Sequence, residues 1–175
     1  MMKPVFLTGE VVYLRPMVPE DKDVAVAWYD SPVPVNSVLG EKTLTELHTA
    51  MWNPSTRQYA IVRQEDDRVI GGAAIDFAHG DRKATIRLHM APLLERADEL
   101  QAEALRILLP WLIEEHNMRR VDLNVGANDA ATIAAAEELG MFAGVRLREY
   151  WQRPGGRVDM LIYQILNPHE VHPHA

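Results

Sequence analysis

The stretch "LLERADELQAEALRILLPWLIEEHNMRRVDLNVGAND", residues 93–129, decides the architecture of this chain. From about residue 95 to 116, Leu100, Ala104, Leu108, Trp111 and Leu112 recur at helical spacing, with Glu103, Arg106 and Glu114 on the opposite side. Pro110 falls inside this helix and predicts a kink or a division there. "RRVDLNVGA" then places Val121, Leu123 and Val125 on one face, the pattern of a strand. A long helix between two strands predicts a parallel, right-handed crossover.

Before this unit lie three strands. "ATIRLHMA" alternates Ala84, Ile86, Leu88 and Met90 against Thr85, Arg87 and His89, and stops at Pro92. "RQYAIVRQ" and "VIGGAAIDFA" flank the turn "EDDR", a hairpin signal, and "HGDRK" turns the chain again. Earlier still, "EVVYLRPM" reads as a strand. "PEDKDVAVAWYD" reads as a short helix opened by Pro19 and acidic residues. After the prolines of "SPVPVNS", "EKTLTELHTAMW" sets Leu44, Leu47 and Met51 on one helical face. Beyond the crossover, "DAATIAAAEELG" is a helix closed by Gly140, and "MFAGVRLREYWQRPGGRVDMLIYQIL" is a hairpin around "RPGG". With no repeat and no linker, residues 1–166 form one α+β domain, and residues 167–175, "NPHEVHPHA", are expected to be a disordered tail.

The chain has 175 residues, 47% hydrophobic and 25% charged, enough for one sizeable core. No apolar run approaches the roughly 18 residues of a membrane helix, and "VFL" is too short for a signal peptide, so the cytoplasm is the expected location. Without cysteine there is no disulfide, thiolate nucleophile or cysteine metal site. A net charge of −7 argues against nucleic acid as a partner. It suits a cationic substrate such as an amine, although acidity also serves plain solubility.

In their order and spacing, these segments resemble the GCN5-related N-acetyltransferase (GNAT) superfamily. The likeness is to the branch that acetylates the alanine N-termini of ribosomal proteins. It spans residues 10–166, through "GEVVYLRPMVPED", "AEALRILLPWLIEEHNMRRVDLNVGAND", "NDAATIAAAEELGM" and the closing hairpin with Arg148, Glu149, Gly156 and Asp159. The resemblance implies a mixed, mostly antiparallel seven-stranded sheet with helices on both faces. It also implies acetyl-CoA as co-substrate, no metal, an amine acceptor such as a protein or peptide N-terminus, and a homodimer.

The implied cofactor contacts are the backbone of His89, Met90 and Ala91, the loop Arg96, Ala97, Asp98, Glu99, Leu100 and Gln101, and Asp129 with Thr132. The family loop carries two glycines where this chain has Ala97 and Glu99, and the loop is one residue longer. Glycine there permits close backbone approach. Instead, Glu95, Asp98 and Glu99 bring three carboxylates toward a diphosphate. Two like charges about 5 Å apart repel by roughly 1 kcal/mol in water and several-fold more when desolvated. An acidic first turn is also what a helix wants for its own dipole. Two readings therefore stand beside the N-terminal acetyltransferase: a binding or structural protein that kept the fold and lost acetyl-CoA, and an acetyltransferase of small-molecule amines.

Among candidate catalytic residues is His89, because an unperturbed imidazole has a titration range suited to a base. Asp76 could accept a proton, and the Thr132 hydroxyl could protonate the leaving thiolate. Each has a plainer reading: a packed histidine, a strand-end carboxylate, a helix-capping threonine. The superfamily's tyrosine acid has no counterpart, the matching turn being "AAAEEL" with Ala136. Trp28, Trp52 and Trp151 are expected to wall the acceptor groove. His169, His172 and His174 resemble a metal tract but read more simply as an adventitious tail.

Overall fold

A computed structural model describes residues 6–21, 55–91, 94–153 and 155–170. Eight strands form one sheet: β1 (Leu7–Thr8), β2 (Val12–Pro16), β3 (Thr56–Arg63), β4 (Arg68–Ala78), β5 (Lys83–Met90), β6 (Arg120–Gly126), β7 (Phe142–Arg153) and β8 (Gly156–Leu166). Two helices follow β5 and β6, α1 (Ala97–Glu114) and α2 (Ala130–Glu138). The strand order is β1-β2-β3-β4-β5-β6-β8-β7. Among the described residues only the β5–β6 seam is parallel.

The α+β class and the mostly antiparallel sheet are as expected, with eight strands in place of seven. The additional one, β1, has two residues, too few for an alternation to show. It is folded onto β2 by a turn in which the Gly9 N–H donates to the Val12 carbonyl at 2.8 Å. A Cβ on Gly9 would stand 2.7 Å from Ile107 Cδ1 and closer still to the Glu103 carboxylate. That carboxylate accepts the N–H groups of Val11 (2.7 Å) and Val12 (3.1 Å). Glu103 therefore fastens the long helix to the first hairpin, a role its place on the polar side of the helix did not suggest.

Alternation in β5 is as expected: Ala84, Ile86 and Leu88 are buried, and Thr85, Arg87 and His89 are half-buried on the opposite face. The core runs from Val12 and Leu14 through Ile61, Ile75 and Ile86 to Leu105, Leu108 and Leu112 of α1 and Leu123 of β6. Pro110 does not divide α1, which is one helix from Ala97 to Glu114. Burial of Leu108, Leu109, Trp111, Leu112 and Ile113 around it offsets the hydrogen bond that proline cannot donate. Gly140 closes α2 at φ 87°, and Gly155 and Gly156 turn the last hairpin at φ 92° and 131°.

Of the expected tail, residues 167–170 are described. Asn167 is buried; its N–H and side-chain amide donate to the carbonyls of Arg119 and Met118, and Glu170 pairs with Arg82. A polar sequence hid this because its bonds run to distant backbone. The helices expected over residues 19–30 and 41–52 lie outside the described residues, except for the first one's opening. No described helix is long and apolar enough to cross a membrane.

At that opening stands a buried ion pair. The guanidinium of Arg15 donates to both oxygens of Asp21 at 2.7 and 2.8 Å, and the Val18 N–H donates to the same carboxylate at 2.9 Å. The Asp21 carboxylate, first by its hydrogen bond, holds the Arg15 guanidinium above its usual pKa against the opposing effect of burial. Truncating Arg15 to alanine takes its guanidinium away from a buried carboxylate, which should cost about 3–5 kcal/mol. Urea denaturation of Arg15→Ala against the parent protein measures it.

Candidate active site

The sheet opens where its parallel seam ends. Lys83–Arg87 of β5 pair with Arg120–Asn124 of β6 and no further. Beyond that point β5 stays on β4, with Gly72 opposite His89 and Gly71 opposite Met90, while β6 stays on β8, with Gly126 opposite Met160. Leu88–Met90 and Val125–Gly126 thus share no ladder, leaving a gap between parallel strand ends. Gly71 allows the close approach on one side, since a Cβ there would meet the His89 carbonyl at 2.5 Å and Met90 Sδ at 2.8 Å. The Ala91 N–H donates to the Ile70 carbonyl at 2.8 Å and so faces β4. Because backbone groups alternate along a strand, the Met90 N–H faces the gap.

Helix α1 begins at Ala97, seven residues after Met90. Arg96 precedes the helix in the left-handed conformation, φ 56° and ψ 29°, a geometry usually left to glycine. The Arg96 side chain does not cap α1, whose first turn carries the positive end of the helix dipole. The Arg96 side chain pairs with Glu99, offsetting one of the three carboxylates, and Glu95 is exposed.

Asp98, the third, turns sideways to α2. Its carboxylate accepts the N–H groups of Ala131 (2.6 Å) and Thr132 (3.0 Å) and the Thr132 hydroxyl (2.6 Å). The Gln101 amide donates to Thr132 Oγ1 at 3.1 Å and to Asp129 at 3.4 Å. Asp129 itself turns back to the Gly126 N–H at 3.1 Å and does not cap α2 with its side chain. Thr132 is fully buried, its proton directed to Asp98 and a lone pair to Gln101. Thr132 thus links the two helices, with its hydroxyl bonded to Asp98 and Gln101.

Asp76 and His89 do not share a site. Asp76 is opposite Thr85, four register positions from the Gly72–His89 pair, or about 13 Å along the strand. Its carboxylate binds Arg87 at 2.9 Å and the Thr56 hydroxyl at 2.8 Å, on the paired side of the seam. Arg87 and His89 share a face of β5, and Asn124 is opposite Arg87. Trp151, opposite Val158, belongs by register to this same face, at the hairpin end that runs past Gly126. Trp28, Trp52, His172 and His174 lie outside the described residues. His169 is at the other end of the strands, by a shallow cleft with Arg82 and Arg119. The described residues contain no group of three or more histidine and acidic side chains placed to hold a metal.

The hairpin end is shaped by a bulge that composition does not announce. Register shifts between Leu147 and Trp151, and Glu149 has φ 49°. Asp159 holds the bulge by accepting the Glu149 N–H at 2.8 Å and Arg146 Nε at 2.6 Å. Those bonds, the backbone one foremost, keep the Asp159 carboxyl below its ordinary pKa. A charged residue repeated on facing strands, Arg146 and Asp159, was the available sequence signal.

Comparison with known proteins agrees with this fold. The acetyltransferase (GNAT) domain family matches residues 12–142. A crystal structure provisionally described as an acetyltransferase, from Sphaerobacter thermophilus DSM 20745, is 44% identical over 94% of this chain and 99% of its own, with TM-score 0.82. Two Vibrio cholerae proteins share the fold alone. One, provisionally described as a ribosomal-protein-serine acetyltransferase, is 13% identical over 94% of this chain and 99% of its own, TM-score 0.63. The other, a mutant form of the spermidine/spermine N-acetyltransferase SpeG, is 14% identical over 91% and 95%, TM-score 0.66. No curated protein matches the sequence.

Replacing Thr132 with valine keeps the volume and removes the hydroxyl, leaving Gln101 and Asp98 each short of a partner. The expected loss is about 1–3 kcal/mol of stability, read from denaturant midpoints.

Proposed function

This chain belongs to the acetyltransferase (GNAT) family, and we propose that it transfers an acetyl group from acetyl-CoA to a primary amine. One observation carries the reading: the gap where β5 and β6 part lies at the end of β5 that leads to the N-terminus of α1, where the N-cap Arg96 makes no side-chain cap bond. The loop chemistry fits the co-substrate, because Asp98 is occupied by α2 and Glu99 is paired with Arg96. Bound there, acetyl-CoA supplies an activated acetyl group. The amides of Ala97, Asp98 and Glu99 bind the diphosphate. The Met90 N–H, facing the gap, orients and polarises the thioester carbonyl. His89, on the face reached by the acceptor, takes the proton that the attacking amine gives up. Trp151 bounds the acceptor on that face. The acceptor we favour is a protein or peptide N-terminus, on the likeness of the opening strand and closing hairpin to enzymes of that kind. The family's small amines, exemplified by the spermidine enzyme of the same fold, form the alternative class. A second copy is expected along β7, the sheet's outer strand, which exposes Phe142, Val145 and Tyr150.

Calorimetry with acetyl-CoA is expected to give micromolar binding, and thiol release to follow with peptides beginning in alanine or serine. Release with polyamines alone moves the acceptor to the alternative class. Silence at millimolar acetyl-CoA would mean a family member that kept the shape and lost the chemistry. His89→Gln should lower kcat by about 100-fold and leave the Kd for acetyl-CoA in place.

A further inference from the structure

Asp98 combines two facts that pull in opposite directions. It is the second residue of α1, beside the amides assigned to a diphosphate, where a negative charge repels the ligand. Yet its side chain is wholly taken up by the neighbouring helix. One oxygen accepts the Ala131 N–H at 2.6 Å; the other accepts the Thr132 N–H at 3.0 Å and the Thr132 hydroxyl at 2.6 Å. The hydroxyl also lies 3.2 Å from the Asp98 carbonyl. The native N-cap of α2, Asp129, leaves these amides unserved. A residue of one helix thus caps another across 33 positions of chain, with Gln101 one turn later making the second crosslink.

We propose that Asp98 is a positioning residue that replaces the missing glycines. Glycine would let the loop approach a diphosphate by conformational freedom. Here the approach is fixed by two devices instead: Arg96 turned to positive φ, and the front of α1 pinned to α2 through Asp98. The same bonds draw the Asp98 carboxylate into the positive end of α2, so that its charge is met by donors other than the amides of α1. The inference rests on the acyl-CoA reading above.

The sign of one change decides it. On charge alone, removing a carboxylate beside a diphosphate tightens binding. If Asp98 positions the loop, Asp98→Ala raises the Kd for CoA by about tenfold or more. Asp98→Asn, which keeps one acceptor oxygen, falls between, and kcat at saturating acetyl-CoA changes far less than KM. A Kd that is unchanged or lower in both variants overturns the inference. Amide spectra of the unaltered protein give an arm that needs no variant. Added CoA should shift the Ala97–Glu99 amides and leave those of Ala131 and Thr132 in their hydrogen-bonded positions. Loss of the Asp98 bonds on CoA addition would overturn it. A parent protein that binds no CoA takes down the acyl-CoA reading and this inference together. A parent that binds while the variants bind equally well takes down the inference alone.

Discussion

Five residue pairs of parallel ladder, Lys83–Arg87 against Arg120–Asn124, join two antiparallel systems into one sheet. On one side are β1 to β5, each paired with its sequence neighbour; on the other are β6, β8 and β7. Parallel pairing requires a crossover, and α1 is that crossover, so one connection fixes both the seam and the helix over it. The seam is short because each strand has a firmer commitment elsewhere. β5 follows β4 to Met90, and β6 follows β8 to Gly126. Where the commitments diverge, backbone groups are left facing an opening. The candidate site is thus a consequence of how the sheet is assembled, and no separate loop has to build it.

Charge at the mouth of that opening is handled locally. Three acids in five residues, Glu95, Asp98 and Glu99, would crowd an anion if all pointed inward. The structure disposes of them differently: one is exposed, one is paired with Arg96, and one is bonded to the first turn of α2. Helix N-termini welcome negative charge, and α1 and α2 begin close enough together to share it. The neighbouring helix has in effect taken the carboxylate that the first turn of α1 supplies.

Much of this was readable from residue order alone. Alternation in "ATIRLHMA", the stripe from Leu100 to Leu112 and the "RPGG" turn each report on neighbours within a few positions, and the structure agrees with them. The features that escaped are bonds between distant backbone and side chain. Glu103 was assigned to a polar face because helical spacing cannot see Val11 and Val12 more than ninety residues away. Asn167 was assigned to a tail because nothing near it in sequence reveals Arg119 and Met118. At the candidate site, the family likeness named Asp98, Gln101, Asp129 and Thr132, whose side chains bond to one another. It could not tell that the Thr132 hydroxyl is enclosed, or that Asp76 is committed to Arg87 at the paired part of the seam. Side-chain direction, and not residue type, separates the two cases.

The bulge in β7 also bears on what the free margin of the sheet can accept. A long strand with one unsatisfied edge is a template on which further chains can stack without limit. Here three residues, Arg148, Glu149 and Tyr150, leave the ladder between Leu147 and Trp151, and Glu149 bends through positive φ under the grip of Asp159. A strand broken in that way offers only short straight runs on either side. It can dock one companion of matching contour, but it is poorly suited to seed a growing fibril.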